Sequence, residues 1–253
     1  DYSVWIFSDH GQERTRSFEA EFPGGIEGVV RNCFDAARKV DRAWRPRAQN
    51  RYPAMWTRGP RAEKRMAHWQ AAETLTTEEQ ATFTVAAVGP VGHVYFAKPI
   101  SDEQRIALAR RLVGEGKVPG VLLRDQSGII TWYHARGELR VPVEVADFLP
   151  HEEKALRAEI ARDLVTFVEN ANSGDLILFG WSPWERPWSF APERGAHAGP
   201  GPEETRGFVL LPARTRLPDG TAHFIRPAAL RLAALEDLGR QGAVRASVGA
   251  GRN

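Results

Sequence analysis

Cysteine is nearly absent from this sequence of 253 residues, because Cys33 is its only one. A single thiol excludes a disulfide within the chain and a zinc site built from several cysteines. A strong charge of one sign is absent too, since 34 basic and 32 acidic side chains give a formal net charge of +2. This balance does not favour nucleic-acid binding, and we expect no nucleic-acid partner.

Long hydrophobic runs are also missing. No apolar stretch approaches the roughly 20 residues that a bilayer-spanning helix needs, and no secretory signal pattern is present. We therefore predict no membrane segment in this chain. Apolar residues nevertheless make up 42% of the composition, which is enough for a sizeable core and argues against global disorder.

Apolar runs of strand length alternate with stretches of helical periodicity. The predicted strands are residues 2–8, 83–88, 93–97, 118–124, 128–133, 175–180 and 208–211, and the predicted helices are 26–43, 61–75, 102–114, 152–170 and 227–238. Residues 45–65 are predicted to be an irregular connection. The alternation predicts one mixed α/β domain over residues 1–253, with a β-rich inserted subregion at about 80–145 and a frayed tail at 239–253.

Two chemically suggestive residues follow the first predicted strand, which is apolar enough for a central, buried position. Asp9 and His10 come directly after it, with Gly11 next. Ligands of open α/β sheets bind beyond the carboxyl ends of strands, and a carboxylate beside an imidazole suits zinc, manganese or iron. Glycine lets the backbone turn sharply and approach a ligand closely. The alternative is an ordinary Asp-His-Gly turn without a ligand.

A second candidate ligand is His197, in the stretch GAHAGP at residues 195–200. Small neighbours leave its ring accessible to a metal or a phosphate. The alternative is a flexible loop with an incidental histidine. The remaining histidines are isolated in the sequence and are expected to be surface or core residues rather than ligands; they are His68, His93, His134, His151 and His223.

Taken together, SDHGQ at residues 8–12, GDLILFG at 174–180 and GAHAGPGPEET at 195–205 resemble the type I phosphodiesterase/nucleotide pyrophosphatase family of the alkaline phosphatase superfamily. The resemblance covers most of residues 1–213. It implies an α/β, alkaline-phosphatase-like layered sheet core with helices, incomplete at the N-terminus. It also implies the C-terminal part of a metal-dependent hydrolase that cleaves phosphodiester or nucleotide pyrophosphate bonds in a small phosphate-ester substrate.

The same resemblance implies two divalent metal ions, commonly zinc, and a Ser or Thr nucleophile. Asp9 and His10 would bind the metal that holds the nucleophile, His197 would bind the other metal, and Gln12 with the neighbouring backbone would orient these ligands. In the family pattern the nucleophile, a further aspartate and an Asp-x-x-x-His pair come before the SDHGQ motif, and none of these parts of the pattern is found there. We therefore expect a missing N-terminal half to complete the site, and the isolated chain to lack turnover.

Two alternatives stay open. One is another branch of the superfamily, such as a phosphatase, a phosphonate hydrolase or a phosphomutase. The other is a degenerate, non-catalytic binding module that keeps the sheet and holds a partner or a polysaccharide through the loop containing Trp181, Trp184 and Trp188. For these three rings we favour packing of the loop onto the sheet over stacking on a ligand.

Two further stretches have ordinary structural interpretations. Glu203 and Glu204 are expected to be exposed, and Thr205 is expected to bond the loop backbone. The basic runs at residues 45–51 and 58–64 are expected to form a solvated face, with phosphate steering as the lesser alternative.

Overall fold

The structure, a computed structural model, describes residues 3–40, 83–219, 221 and 223–250. In chain order its elements are β1 (Ile6–Phe7), β2 (Glu13–Arg14), β3 (Arg16–Ser17), α1 (Phe18–Glu21), α2 (Gly25–Val40), β4 (Phe83–Val88), β5 (Val91–Phe96), α3 (Asp102–Gly114), β6 (Gly120–Arg124), β7 (Ile130–His134), β8 (Gly137–Val141), α4 (Val143–Phe148), α5 (Lys154–Glu169), β9 (Leu176–Phe179), β10 (Trp188–Ser189), β11 (Gly195–Ala196), β12 (Val209–Leu210) and α6 (Pro227–Ala250). This content confirms the predicted mixed α/β class.

One antiparallel sheet of six strands forms the centre of the fold, in the order β4-β5-β9-β6-β7-β8. β9 lies between β5 and β6, so a strand from late in the chain joins the two earlier groups. Its side chains alternate, with Leu176 and Leu178 in one core cluster and Ile177 and Phe179 in the other. The sequence of a strand that is buried on both faces is typically a continuous apolar run, and β9 has such a sequence.

Helices cover both faces of the sheet, giving three layers. On one face, α2 and α3 contribute Val30 and Leu112 to a core cluster that also holds Val121. On the other face, α4 and α5 contribute Val145 and Leu164 to a second cluster. Each helix thus buries its apolar stripe against one side of the sheet.

The start of α3 shows how local sequence sets a boundary. The Ser101 hydroxyl accepts from the backbone N–H of Gln104 at 3.3 Å, and the Gln104 side chain accepts from the backbone N–H of Ser101 at 3.0 Å. This reciprocal arrangement is a capping box, which satisfies two amides that lack partners within the helix. The predicted helix over residues 102–114 with a Ser101 cap is confirmed.

Three short ladders attach the first described residues to the segment after β9. β1 pairs antiparallel with β12, β2 pairs antiparallel with β11, and β3 pairs parallel with β10. These ladders stand outside the six-stranded sheet. They bring residues near the beginning of the chain against the long loop that contains both the tryptophans and His197.

The prediction that residues 2–8 form a buried central strand is wrong for this structure. β1 has only two residues, and Ile6 and Phe7 are 51% and 53% exposed. An apolar, β-prone run predicts extended backbone, but burial requires covering layers on both faces. β1 pairs only with the equally short β12 and is not part of the main sheet.

The other organisational predictions have mixed outcomes. The subregion at 80–145 is β-rich as predicted, and its five strands share one sheet with β9; that it is an insertion into a larger fold stays a prediction. α6 continues to Ala250, past residue 239 where a frayed tail was predicted. The irregular connection at 45–65, the helix at 61–75, both basic runs and His68 lie outside the described residues. Within the described parts of the chain, no helix combines the length and apolarity needed to cross a membrane.

Candidate functional site

The two histidine-bearing motifs lie side by side because β2 and β11 pair. β2 directly follows SDHGQ, β11 begins GAHAGP, and the register sets Ala196 opposite Glu13. A second contact joins the same region, since the backbone N–H of Gly11 donates to the carbonyl oxygen of Glu204 at 2.9 Å. Two stretches that are far apart in the sequence therefore form one surface.

The imidazoles of His10 and His197 stack on each other at this surface. Their ring centroids are 3.6 Å apart, with an angle of 21° between the ring planes. His197 is exposed and the His10 side chain is 37% exposed, so solvent reaches both rings. The structure thus brings together the two histidines that the sequence singled out as ligands.

The hydrogen bonds of His10 decide which of its nitrogens can bind a metal. Nδ1 lies 2.6 Å from the carbonyl oxygen of Gly11. A carbonyl only accepts, so Nδ1 is the nitrogen that carries the proton in the neutral ring, and Nε2 is the one that could bind a metal. A backbone carbonyl that fixes the tautomer in this way is a common feature of metal-binding histidines. The predicted role of the neighbouring backbone agrees with this contact.

An oxygen of the Asp9 carboxylate lies beside His10 Nε2. Its Oδ1 accepts from the backbone N–H of His10 at 3.0 Å, whereas Oδ2 lies 3.4 Å from His10 Nε2. Two ligands of a tetrahedral zinc ion, each roughly 2.1 Å from the metal, are about 3.4 Å apart. The Asp9 side chain is 84% exposed, so it is accessible to an incoming ion. Asp9 and His10 therefore fit two positions of a zinc coordination sphere.

Gln12, predicted to orient the ligands, lies against the backbone of the second motif. A Cβ atom placed on Gly195 would be 3.0 Å from Gln12 Nε2. Gln12 therefore contacts the strand that leads to His197 rather than stacking on either ring. Because residue 195 is glycine, the Gln12 side chain has room beside it.

Glu204 is the main residue of this region that sequence reasoning missed. The prediction that it is exposed is wrong, because only 4% of it is exposed, whereas Glu203 is exposed as expected. Its Oε2 accepts from the backbone N–H of Gly199 at 2.7 Å, and its Oε1 accepts from that of Gly201 at 3.3 Å. Gly199 and Gly201, a few residues before Glu204, were the sequence signal that could have indicated its burial, since glycine leaves backbone amides accessible to a carboxyl group.

The environment of Glu204 favours its protonated form. Burial is the largest cause and raises the pKa of Glu204 to about 7, the N–H of Gly199 opposes this rise, and the nearby carboxylate of Glu13 adds to it. The pKa of Glu13 is raised as well, by burial first and then by the charge of Glu203. Two carboxyl groups thus sit together beneath the loop that contains His197.

The loop between His197 and Glu204 has an unusual backbone. Ala198, directly after His197, has φ +96°, a conformation that non-glycine residues rarely adopt. Such a residue persists only when its surroundings restrain it, at a typical strain of about 1–3 kcal/mol. Restraint comes from the Gly199 N–H bond to Glu204, one residue further along.

A second network fixes the other end of this loop. The Thr205 hydroxyl donates to the carbonyl oxygen of Gly201 at 2.9 Å, which confirms the predicted bond to the loop backbone. His151 Nε2 lies 2.8 Å from the same hydroxyl, and His151 is 8% exposed. Because the hydroxyl proton points to Gly201, Nε2–H donates to Thr205. The pKa of His151 is lowered, mainly by burial, and a lowered pKa favours the neutral ring.

Beside the paired histidines opens a cavity of about 1840 Å³. Its wall includes Asp9 and His10. Apolar side chains of the sheet and of α5 line much of the rest, among them Val91, Phe167 and Phe179. A large cavity lined by apolar side chains together with some polar ones is a common arrangement for binding a small molecule.

The three tryptophans of the long loop pack the loop rather than line this cavity. Trp181 and Trp188 are 1% and 5% exposed, and Trp181 meets Trp132 edge-on with ring centroids 6.2 Å apart. Trp184 is 40% exposed, and the Arg136 guanidinium lies 4.0 Å from its ring centroid. The favoured prediction of loop packing is confirmed for the two buried rings.

The other described histidines have structural contacts. His93 Nδ1 accepts from the backbone N–H of Gly174 at 3.1 Å. His134 Nδ1 accepts from the backbone N–H of Arg136 at 3.2 Å, and His223 lies 3.5 Å from the carboxylate of Glu153. These contacts agree with the expectation that they are not ligands.

The site has no complete metal-binding group among the described residues. Over the described ranges, no three His, Cys, Asp or Glu side chains are grouped closely enough to hold a metal ion by themselves. Asp9, His10 and His197 on their own therefore do not form such a group. Comparison of the chain with protein-family models, with curated proteins and with solved structures returned no match, so the family resemblance of the motifs stays a prediction.

Proposed function

We propose that this chain contributes one part of a two-metal site that hydrolyses phosphodiester or nucleotide pyrophosphate bonds. The observation that carries the proposal is the stacking of His10 on His197 beside the Asp9 carboxylate. The local sequence around each histidine does not require the two rings to stack, because His10 follows β1 and His197 follows β11. Two metal ions bound side by side, one at each histidine, would account for the convergence of these two accessible loops.

In this proposal Asp9 and His10 hold one divalent ion and His197 holds the other. Two such ions, when bound, lower the pKa of an oxygen nucleophile and neutralise phosphoryl charge. This chain holds the ligands in place. The Gly11 carbonyl oxygen bonds Nδ1 of His10 and thereby sets the tautomer of the ring. The backbone N–H of His10 donates to Asp9 Oδ1, so that Oδ2 faces the ring. The cavity beside them would receive the substituent of a small phosphate ester.

The proposal requires a Ser or Thr nucleophile and further ligands from polypeptide other than residues 1–253. An alkaline-phosphatase-like layering, with further strands beside β1, would accommodate that polypeptide. Two features support it: β1 pairs on one edge with β12, and Ile6 and Phe7 remain half exposed. An apolar strand with an open edge is a suitable surface for strand addition.

Zinc titration of the chain, followed by calorimetry, tests the metal part. We expect weak Zn²⁺ binding that falls at least about tenfold in His10→Ala and in His197→Ala, because each removes a ligand. His223→Ala is the matched control, since His223 is also an exposed histidine beside a carboxylate but lies outside both motifs. Equal affinities in all four proteins would contradict the proposal.

Activity and the native protein test the remainder. The isolated chain should not hydrolyse bis(4-nitrophenyl) phosphate in the presence of zinc, and a metal-dependent burst from it would contradict the proposed division of the site. The intact mass, N-terminus and metal content of the native protein provide the complementary measurement. A metal-free native protein would instead favour the non-catalytic binding module.

A further inference from the structure

Glu204 contacts both histidine motifs at once, through different parts of the same residue. Its backbone carbonyl accepts from the N–H of Gly11, directly after His10. Its side chain accepts from the N–H groups of Gly199 and Gly201, shortly after His197. One buried residue therefore bridges the two loops whose imidazoles stack.

The space around this bridge is filled so closely that only glycine fits beside it. A Cβ atom on Gly199 would lie 2.4 Å from Glu204 Oε1, and one on Gly201 would lie 3.0 Å from the same oxygen. A Cβ atom on Gly11 would lie 1.9 Å from the carbonyl oxygen of Glu203. The three glycines let both loops approach the 203–206 turn to hydrogen-bonding distance.

The bridge also explains how the strained backbone next to His197 is maintained. Ala198 has a positive φ, and the next amide, that of Gly199, is the one held at 2.7 Å by Glu204. At 2.7 Å this bond is at the short end of the usual range for N–H···O hydrogen bonds. Without it, the loop would be free to relax to an ordinary φ, and the direction of the His197 ring would change with it.

Glu13 supplies the group that completes the bridge. It lies opposite Ala196 in the β2–β11 pair, and its Oε2 is buried near the Glu204 side chain. A Cβ atom on Gly201 would contact both Glu13 Oε2, at 1.9 Å, and Glu204 Oε1. The two carboxyl groups therefore face one small space, where a single shared proton would join them and relieve their repulsion.

We propose that Glu204 is a positioning residue that sets the separation of His10 and His197, holding one loop by its backbone and the other by its side chain. The consequence for metal binding rests on the proposed function. The geometric claim concerns the protein without metal and can be tested independently. Thr205 and His151 anchor the turn from which Glu204 acts.

The first test measures the ring contact in the metal-free chain. With histidine-selective isotope labelling, wild type should show a nuclear Overhauser effect between ring protons of His10 and His197. Glu204→Ala should lose this contact. Glu204→Gln should keep it, because an amide oxygen can still accept from Gly199 and its NH₂ group can donate to Glu13. Glu203→Ala is the control, since Glu203 is an exposed neighbour.

If Glu204→Ala does not fold, Gly199→Ala replaces it, because its Cβ atom would displace the carboxylate while leaving Glu204 in place. Retention of the ring contact in the folded Glu204→Ala or Gly199→Ala variant would overturn the inference. Its loss in both Glu204→Ala and Glu204→Gln, with Glu203→Ala unchanged, would support the bridge and show that an amide cannot replace the carboxyl group.

The second test uses Zn²⁺ as the probe. If wild type binds zinc through both histidines, Glu204→Ala should weaken that binding by about 10–100-fold, as is typical when a group that orients ligands is lost, and Glu204→Gln should restore most of it. Unchanged affinity in Glu204→Ala would overturn the inference. No zinc binding by wild type would count against the proposed function, while the ring contact would still decide the role of Glu204.

Discussion

The backbone N–H of Gly11 donates to the carbonyl oxygen of Glu204 at 2.9 Å, and this bond joins the His10 turn to the turn that follows His197. The Gly11 backbone was expected to approach a ligand closely. In the structure it approaches the protein's own chain, because Gly11 lies against the carbonyl oxygens of Glu203 and Arg206. Glycine at this position therefore serves the assembly of the site.

Gly11→Ala should destabilise the protein and separate the two motifs. Its Cβ atom would lie 1.9 Å and 2.4 Å from the carbonyl oxygens of Glu203 and Arg206, and backbone atoms cannot move aside as a flexible side chain can. We expect a loss of about 1–3 kcal/mol in the free energy of unfolding, measured by urea denaturation. Gly114→Ala, at the end of α3 with open space around it, is the control and should be neutral or stabilising.

Ala198→Gly should stabilise the fold while loosening the site. Glycine adopts a positive φ without strain, so about 1–3 kcal/mol of strain is relieved, against a loss of about 0.5–1 kcal/mol from the greater freedom of the unfolded chain. Urea denaturation should show a net gain of about 1 kcal/mol. Ala196→Gly, in the buried β11 strand, should destabilise instead, and an equal loss in both variants would argue against strain at Ala198.

The stability of the protein should depend on pH through Glu204. Burial raises its pKa from 4.5 to about 7, so between these values the folded protein holds a proton that the unfolded chain has released. The resulting stabilisation is complete below pH 4.5 and is lost as the pH rises through about 7. Its size is on the order of 3 kcal/mol, from about 1.4 kcal/mol per pKa unit.

Urea denaturation of wild type and Glu204→Gln from pH 4.5 to 8 measures this effect, because glutamine does not titrate. The difference in the free energy of unfolding between the two proteins should change with pH in favour of Glu204→Gln as the pH rises. Ionisable groups that do not contact Glu204 affect both proteins alike and cancel in the difference, whereas Glu13, which faces Glu204, contributes to the measured change. Parallel pH profiles would show that Glu204 titrates normally.

Ser101→Ala should remove the capping box of α3 without affecting the candidate site. Losing a serine cap typically costs about 1 kcal/mol, and Ser101 accepts the N–H of Gln104 at the start of a helix that packs on the sheet. Ser127→Ala, in the exposed turn between β6 and β7, is a suitable control with an expected change within about 0.5 kcal/mol. Zinc affinity should stay unchanged in both variants.

Local patterns in the sequence were sufficient for most of the elements. The capping residues of α3, the apolar period of α5 and the continuous apolar run of β9 each depend on neighbours within a few residues. The mixed α/β class follows from their alternation. The two histidine motifs were also recognisable from the sequence, because a histidine beside an aspartate or among small residues has a limited set of chemical uses.

The packing of β1 and Glu204 could not be predicted in this way. The apolar run at residues 2–8 indicated a buried strand, yet Ile6 and Phe7 are half exposed because their ladder stands outside the main sheet. Glu204, next to the exposed Glu203, is buried because two glycine amides and Glu13 surround it. Burial depends on which distant segments meet, and adjacent residues of the same type can differ completely.

The sequence by itself determined the longer helices, most strands of the main sheet and the identity of the candidate ligands, since these follow from short-range propensity and side-chain chemistry. Only the tertiary structure decided that His10 and His197 stack at 3.6 Å and that a buried glutamate links their loops. The physical reason is that this arrangement depends on the pairing of β2 with β11. Such pairing is a long-range choice, fixed by the packing of the whole fold.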